Sequence, residues 1–287
     1  MTTFIHFTIV GLAMGMIYAI MSLGFVLLVR SIGILNFAQG DLFMLGAYIS
    51  YSLIMQLNLS PIAYIISAII AFAIIGVVFM YVIWWPVKKS YWPQAPIVCT
   101  IGASYIISEA CRLIWGNAPL IIPSTIKGSI NIGALTISNQ YIAILIYGVL
   151  VISAIYLLYE KAYLGLILQS ATQDYMAATI LGVPVNLTIA ITYVLITLML
   201  GFSGYLVAPL FFVSQNLAGF QVKSFAGAII GGFGSLKGAI LGSIMVGLIE
   251  SYSAYFTSVY KDAFIFGTLL IVLAVRPNGL FSEKNGK

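Results

Sequence analysis

The chain has 287 residues, 62% of them hydrophobic and 7% charged, with a mean hydropathy of +1.12. Soluble domains carry about a quarter charged residues, so this composition excludes a water-soluble enzyme. The net charge of +5 is scattered between apolar runs rather than gathered on one face, which excludes a nucleic-acid-binding surface.

Separated apolar runs predict an all-α polytopic membrane protein with about eight transmembrane helices, some broken or re-entrant, because a barrel would show short alternating segments instead. Residues 1–287 read as a single transmembrane domain in the lipid bilayer. The first run, 5–29, ends at Arg30 and carries Gly11 and Gly15 at the spacing that lets another helix approach closely. It lacks a basic leader and a cleavage site, so it is expected to remain as a span. Next comes GILNFAQGDLFMLGA from Gly33, where Asn36, Gln39 and Asp41 stand among glycines between apolar flanks. An ionised Asp at the bilayer centre costs roughly 2.5 to 3.5 kcal/mol on insertion scales, so such residues face a bundle interior or a watery cavity. Non-helical backbone at that depth survives only where protein or water satisfies it. The stretch reads either as a polar element kept at membrane depth or as an interfacial turn between two spans.

Residues 42–57 complete a second crossing and 61–85 a third, with Trp84, Trp85 and Trp92 flanking Lys88 and Lys89 as an aromatic belt beside a basic cytoplasmic loop. The fourth run, 95–115, places Glu109 and Arg112 where they can pair on one helical face. Their first reading is an ion pair that holds the bundle; a substrate contact is the alternative. Cys99 and Cys111 share this run, about 18 Å apart along a helix and beyond disulfide reach. A polar loop over 116–139, expected to be ordered on the membrane surface, leads to a fifth run at 140–159.

The longest polar interruption, 160–187, reads EKAYLGLILQSATQDYMAATILGVPVNL. Leu168, Ala171, Tyr175, Ala178, Ile180 and Leu181 fall near one helical face, and Gly182 followed by Pro184 stops the helix. A short amphipathic helix outside the membrane is predicted, either a connector or a docking element for another protein. Runs at 188–213 and 263–275 follow, with the glycine-rich stretch 225–256 between them. Placing Arg30, Lys88, Lys89 and Lys161 inside puts the N-terminus outside and makes the 160–187 loop cytoplasmic. Bringing the Arg276 tail to that side requires 225–256 to dip and return, bent near Gly231 to Gly238. FAQGDLFMLGA from Phe37 and FGSLKGAILGS from Phe233 echo one another, and paired broken segments point to a transport path.

Chemistry is otherwise scarce. His6 is the lone histidine, so metal sites and His-dependent catalysis lack material. GGFGSLKG lacks the Gly at 236 and the Ser or Thr at 238 that a phosphate loop requires. Asp41, Glu109 and Glu250 are the acidic residues within spans and form no chain like a proton relay. The expectation is a chain that is not an enzyme, takes no cofactor and holds no energy source of its own.

GLAMGMIYAIMSLGFVLL, IGILNFAQGDLFMLGAYIS, LGLILQSATQDYMAATILGVPVNLTIAITYVL, FAGAIIGGFGSLKGAILGSIMVGLIE and RPNGLF, in this order, resemble the LivH type of permease in ABC uptake systems for branched-chain amino acids. The resemblance covers nearly the whole chain. It implies a heteromeric importer of the cell inner membrane: a second permease subunit, two cytoplasmic ATP-binding subunits, and an extracytoplasmic substrate-binding protein. By position it implies that Gln173, Asp174, Ala177, Ala178 and Gly182 belong to the helix that meets the ATPase. It likewise implies that Asn36, Gln39 and Asp41, with Gly231, Gly232, Gly234 and Ser235, border the translocation path. Gln39 replaces the His of the family's NFAHG, and Gln169 replaces the usual Arg before the coupling helix. Permeases for urea, amides or other amino acids share this skeleton, and a self-contained channel or secondary transporter using the two broken segments as a pore is a further alternative.

Overall fold

The computed structural model describes residues 2–281 apart from Lys89, Tyr91, Pro93, Lys127, Gly133, Ala134 and Asp174. Its helices are α1 (Thr2–Ile32), α2 (Gln39–Tyr51), α3 (Pro61–Phe79), α4 (Trp85–Val87), α5 (Ala95–Trp115), α6 (Asn139–Glu160), α7 (Tyr163–Gln173), α8 (Tyr175–Ile180), α9 (Val185–Phe211), α10 (Phe220–Gly231), α11 (Leu236–Phe256) and α12 (Lys261–Val275). A small antiparallel ribbon, β1 (Ser129–Ile132) with β2 (Leu135–Ser138), lies in the loop that the sequence marks only as polar. The fold is therefore an all-α polytopic membrane protein.

Six helices are long and apolar enough to cross a membrane: α1, α3 extended to Val87, α5, α6, α9 and α11. Of the most apolar stretch of α1, 83% is buried, against 17% for α5, so α1 is an inner helix and α5 turns much of its surface to lipid. The shorter helices α2 and α12 fall where the second and last apolar runs are expected, and α10 with α11 makes up the glycine-rich stretch. A π turn, Ser52–Gln56, prolongs α2 to Gln56, and at 1.5 Å per residue the combined rod spans about 27 Å. The second crossing thus begins at Gln39 rather than at residue 42, taking Gln39 and Asp41 of the NFAQGD stretch into its first turn. Local signals set the ends: Ser60 Oγ accepts the Ala63 amide ahead of Pro61 to open α3, and Ser235 Oγ accepts the Gly238 amide to open α11.

The chain divides into two compact units, one made of Met1–Val26, Ser124–Ser153 and Gly219–Lys287, the other of Leu27–Pro123 and Ala154–Ala218. In the first unit, α1 and α11 lie antiparallel. A methyl group at Gly15 would stand 2.8 Å from Ile244 Cα, Thr8 Oγ1 meets Tyr252 Oη at 2.7 Å, and Ser251 Oγ donates to Phe7 O at 2.6 Å. Helix α10 folds back along α11, with Ser22 Oγ bonded at 2.5 Å to both Ser224 O and Ser243 Oγ. Met14, Tyr18, Ala226, Ile230, Val246, Ile265 and Val272 form the apolar centre of this unit. Within it α1, α10 and α12 run one way and α11 the other.

In the second unit, α2 and α9 press together at Gly46 and Gly201, where a methyl group on Gly46 would overlap the Gly201 backbone. Small residues that admit such contact are the usual glue of helices in lipid, where apolar side chains gain nothing by leaving it. Helix α3 is tied to α9 by Thr197 Oγ1, which donates to Phe72 O at 3.0 Å, and by the rings of Tyr64, Phe72, Phe202 and Tyr205. Arg30 at the end of α1 pairs with Glu160 at the end of α6 at 2.8 Å, and Ser31 Oγ meets Tyr159 Oη at 2.9 Å. These contacts set the two helix ends side by side, which requires an even number of crossings between them; α2, α3, α5 and α6 supply it.

Candidate translocation and coupling sites

The NFAQGD stretch lies in the second unit, where it joins the end of α1 from Leu27 on to α2. Gly33 leaves α1 with φ +74°, and Asn36 Oδ1 then accepts the Ala38 amide at 2.9 Å, turning the backbone into α2. Asn36 and Gln39 are fully buried and Asp41 is 4% exposed. Asn36 Nδ2 is buried with no hydrogen-bond partner among the described residues. Asp41 Oδ2 accepts the Ser104 hydroxyl at 2.5 Å, which anchors α2 to α5. Burying a carboxyl is tolerable only with such donors. Ser104 was not singled out by the sequence, since nothing local distinguishes it from the other small polar residues of α5. Further along the same pair of helices, Trp115 Nε1 donates to Ser52 Oγ at 2.7 Å, at the π turn.

The second joint lies in the first unit, where the expected bend near Gly231 to Gly238 is found. Helix α10 stops at Gly231, Gly232 and Gly234 take φ of +115° and +106°, and Ser235 opens α11. Gly231 and Gly232 are buried, while Gly234 and Ser235 are partly exposed. A side chain at Gly231 would collide with the Gly238 carbonyl, so the two helices touch backbone to backbone beside the break. The two echoing segments therefore do the same thing in their own units: each opens a helix just after a break, and Gly46 and Gly242 at matching positions each carry a close helix contact.

The 160–187 interruption is helical over Tyr163–Gln173 and Tyr175–Ile180, α7 and α8, where a short helix is expected. Asp174 and the side chains of Gln173 and Ala177 lie outside the described residues. Gln169 Nε2 donates to Tyr159 O at 3.0 Å and to Gly165 O at 3.1 Å, fastening α7 to the end of α6. Ala178 is buried at 4%. The stop comes where the glycine predicts it: Gly182 has φ +81°, its amide donates to Thr179 O and the Val183 amide to Ala178 O, both at 3.0 Å. This is a Schellman closure, which needs a left-handed residue at that place. Ile180 and Leu181, expected on the packed face, are instead 80% and 82% exposed.

Glu109 Oε2 and Arg112 Nε pair at 3.3 Å on the exposed end of α5. Cys99 and Cys111 are free thiols, and the described residues hold no group of His, Cys, Asp and Glu that could bind a metal ion. Glu250, noted in sequence only as an acidic residue within a span, is the centre of a charged cluster. It accepts from Tyr18 Oη and pairs with Lys223 at 2.5 Å and Lys261 at 3.4 Å, while Lys223 also reaches Asp262 at 2.9 Å.

A family model described as branched-chain amino acid transport system / permease component matches residues 7–273. The high-affinity branched-chain amino acid transport system permease protein LivH of Salmonella typhimurium is 29% identical, over 95% of this chain and 94% of its own. LivH of Escherichia coli K12, at 28%, and BraD of Pseudomonas aeruginosa, at 29%, match over the same shares. Among solved structures, PsaBC from Streptococcus pneumoniae in complex with Fab aligns with a TM-score of 0.51 over 96% of this chain and 91% of that one. At 16% identity the likeness is one of fold alone.

Proposed function

The chain belongs to the branched-chain amino acid transport permease family, and on that premise we propose that it is the permease subunit of an ABC importer that carries branched-chain amino acids across the cell inner membrane. It works beside a second permease subunit, is driven by two cytoplasmic ATP-binding subunits, and receives substrate from an extracytoplasmic binding protein. It performs no chemistry of its own. The observation that carries this reading is the end-to-end match to permeases named for that transport, over 95% of this chain and 94% of the LivH sequence.

Asn36, Gln39 and Asp41 border the translocation path, as do Gly231, Gly232, Gly234 and Ser235 of the other joint. Support comes from the buried, unpartnered Asn36 Nδ2, a polar group kept at a cost in a lipid-embedded chain. The helices α7 and α8 are the cytoplasmic coupling element that meets the ATPase, and Gln173, Asp174, Ala177, Ala178 and Gly182 belong to it. The bare Ile180–Leu181 step beside the Gly182 turn supports it, since two large apolar side chains there suit a protein partner better than water. ATP-driven closure of the partner subunits pushes α7 and α8 and so alternates access to the polar joints.

Purified subunits test the assignment. Ala177, Ala178 and Gly182 are replaced by arginine, singly and together, and the permease is mixed with its cognate ATPases. Retention of the ATPases is expected to fall at least tenfold while the permease still folds. Unchanged retention overturns the coupling assignment.

A further inference from the structure

The closing motif RPNGLF follows α12 and is not used by the reading above, yet its contacts are specific. Arg276 caps the helix through its amide to Val272 O at 2.7 Å, and the Gly279 amide donates to Arg276 O at 2.9 Å, closing a turn with Pro277 at its second place and glycine at its fourth. The chain then lies along the end of α10: the Leu280 amide donates to Ile230 O and the Phe281 amide to Gly231 O, both at 2.9 Å. The last four carbonyls of a helix have no partner within it. In α10 those are Ala228, Ile229, Ile230 and Gly231; the Gly232 amide serves the first two, at 3.0 and 3.1 Å, and the tail serves the other two. Gly279 is buried with φ +85°, and a side chain there would sit 2.5 Å from Gly232 N. Leu280 packs on the core of the first unit.

We propose that Arg276 to Phe281 is a positioning strap: it fixes the broken end of α10, and with it the conformation of Gly232 to Ser235, so that this joint moves with the end of α12 rather than flexing freely. Only its transport arm rests on the assignment of the joint to the translocation path. The strap is built for this place. Its turn delivers two successive amides to two successive carbonyls, and the residue set closest against Gly232 is a glycine.

Amide hydrogen exchange on the permease assembled with its partner subunits in lipid nanodiscs tests the idea. Two variants are compared with the native chain, Gly279→Val, which removes the clearance, and Phe281→Pro, which removes one donor and little else. If the first does not assemble, the second decides. Exchange over residues 228–236 is expected to rise at least tenfold in either variant, while α3 and α5 stay as protected as before. Unchanged protection over 228–236 overturns the strap. Substrate uptake by the same complexes gives the second arm: uptake is expected to fall at least fivefold with ATP hydrolysis retained. Faster exchange with native uptake upholds the strap and removes the joint from the path.

Discussion

Glu250 sits in a membrane-spanning helix with its side chain 11% exposed, held by Lys223, whose side chain is 17% exposed. Burial of that degree separates it from Glu109 and Arg112, whose side chains are 53% and 48% exposed. Removing one member of a buried pair strands the other charge and costs about 3–5 kcal/mol, whereas an exposed pair is worth about 0–1 kcal/mol. Lys223→Ala is therefore expected to lower the unfolding midpoint in detergent sharply, tempered by Lys261 at 3.4 Å, and Glu109→Ala to leave it nearly unchanged. Equal effects would refute the ranking. The weaker pair was the one legible in sequence, because a spacing of three residues is local. The stronger one joins α10, α11 and α12 and leaves no periodic trace.

At the scale of the element, glycine decides which helices touch. Gly46→Leu is expected to drive α2 from α9, because the added side chain meets backbone that cannot turn aside; overpacking of this kind costs about 1–3 kcal/mol. Loss of folded yield on size-exclusion chromatography, with partial rescue at low temperature, is the measurement. A native profile would mean that the interface yields. The break between α10 and α11 was readable because seven glycines crowd one run, and the stop at Gly182 because a glycine followed by proline has a defined use. One element escaped. The tail looks like an ordinary turn, since the carbonyls it serves lie far earlier in the chain.

For the whole molecule, the apolar runs told the class and most of the crossings, while the polar first turn of α2 hid where that helix starts. Charge then orients it. Within the first unit α12 runs parallel to α10 and antiparallel to α11, so the chain turns back within 225–256 and Arg276 leaves on the side that α10 reaches. Single cysteines at Asn58 and Asn278, in intact cells exposed to an impermeant maleimide, are expected to be labelled and unlabelled respectively. Labelling at Asn278 would reverse the direction of α12.

The span of sequence between partners also orders the birth of this protein. Phe7 and Thr8 near the start of α1 are met by Ser251 and Tyr252, and the end of α10 waits for the final residues of the chain. Ribosomes add about 5–20 residues per second, so the earliest helix dwells in lipid for on the order of ten seconds or longer before its companions emerge. A product broken before Leu280 and Phe281 would leave the Ile230 and Gly231 carbonyls without these donors, a flaw that membrane quality-control proteases are placed to recognise.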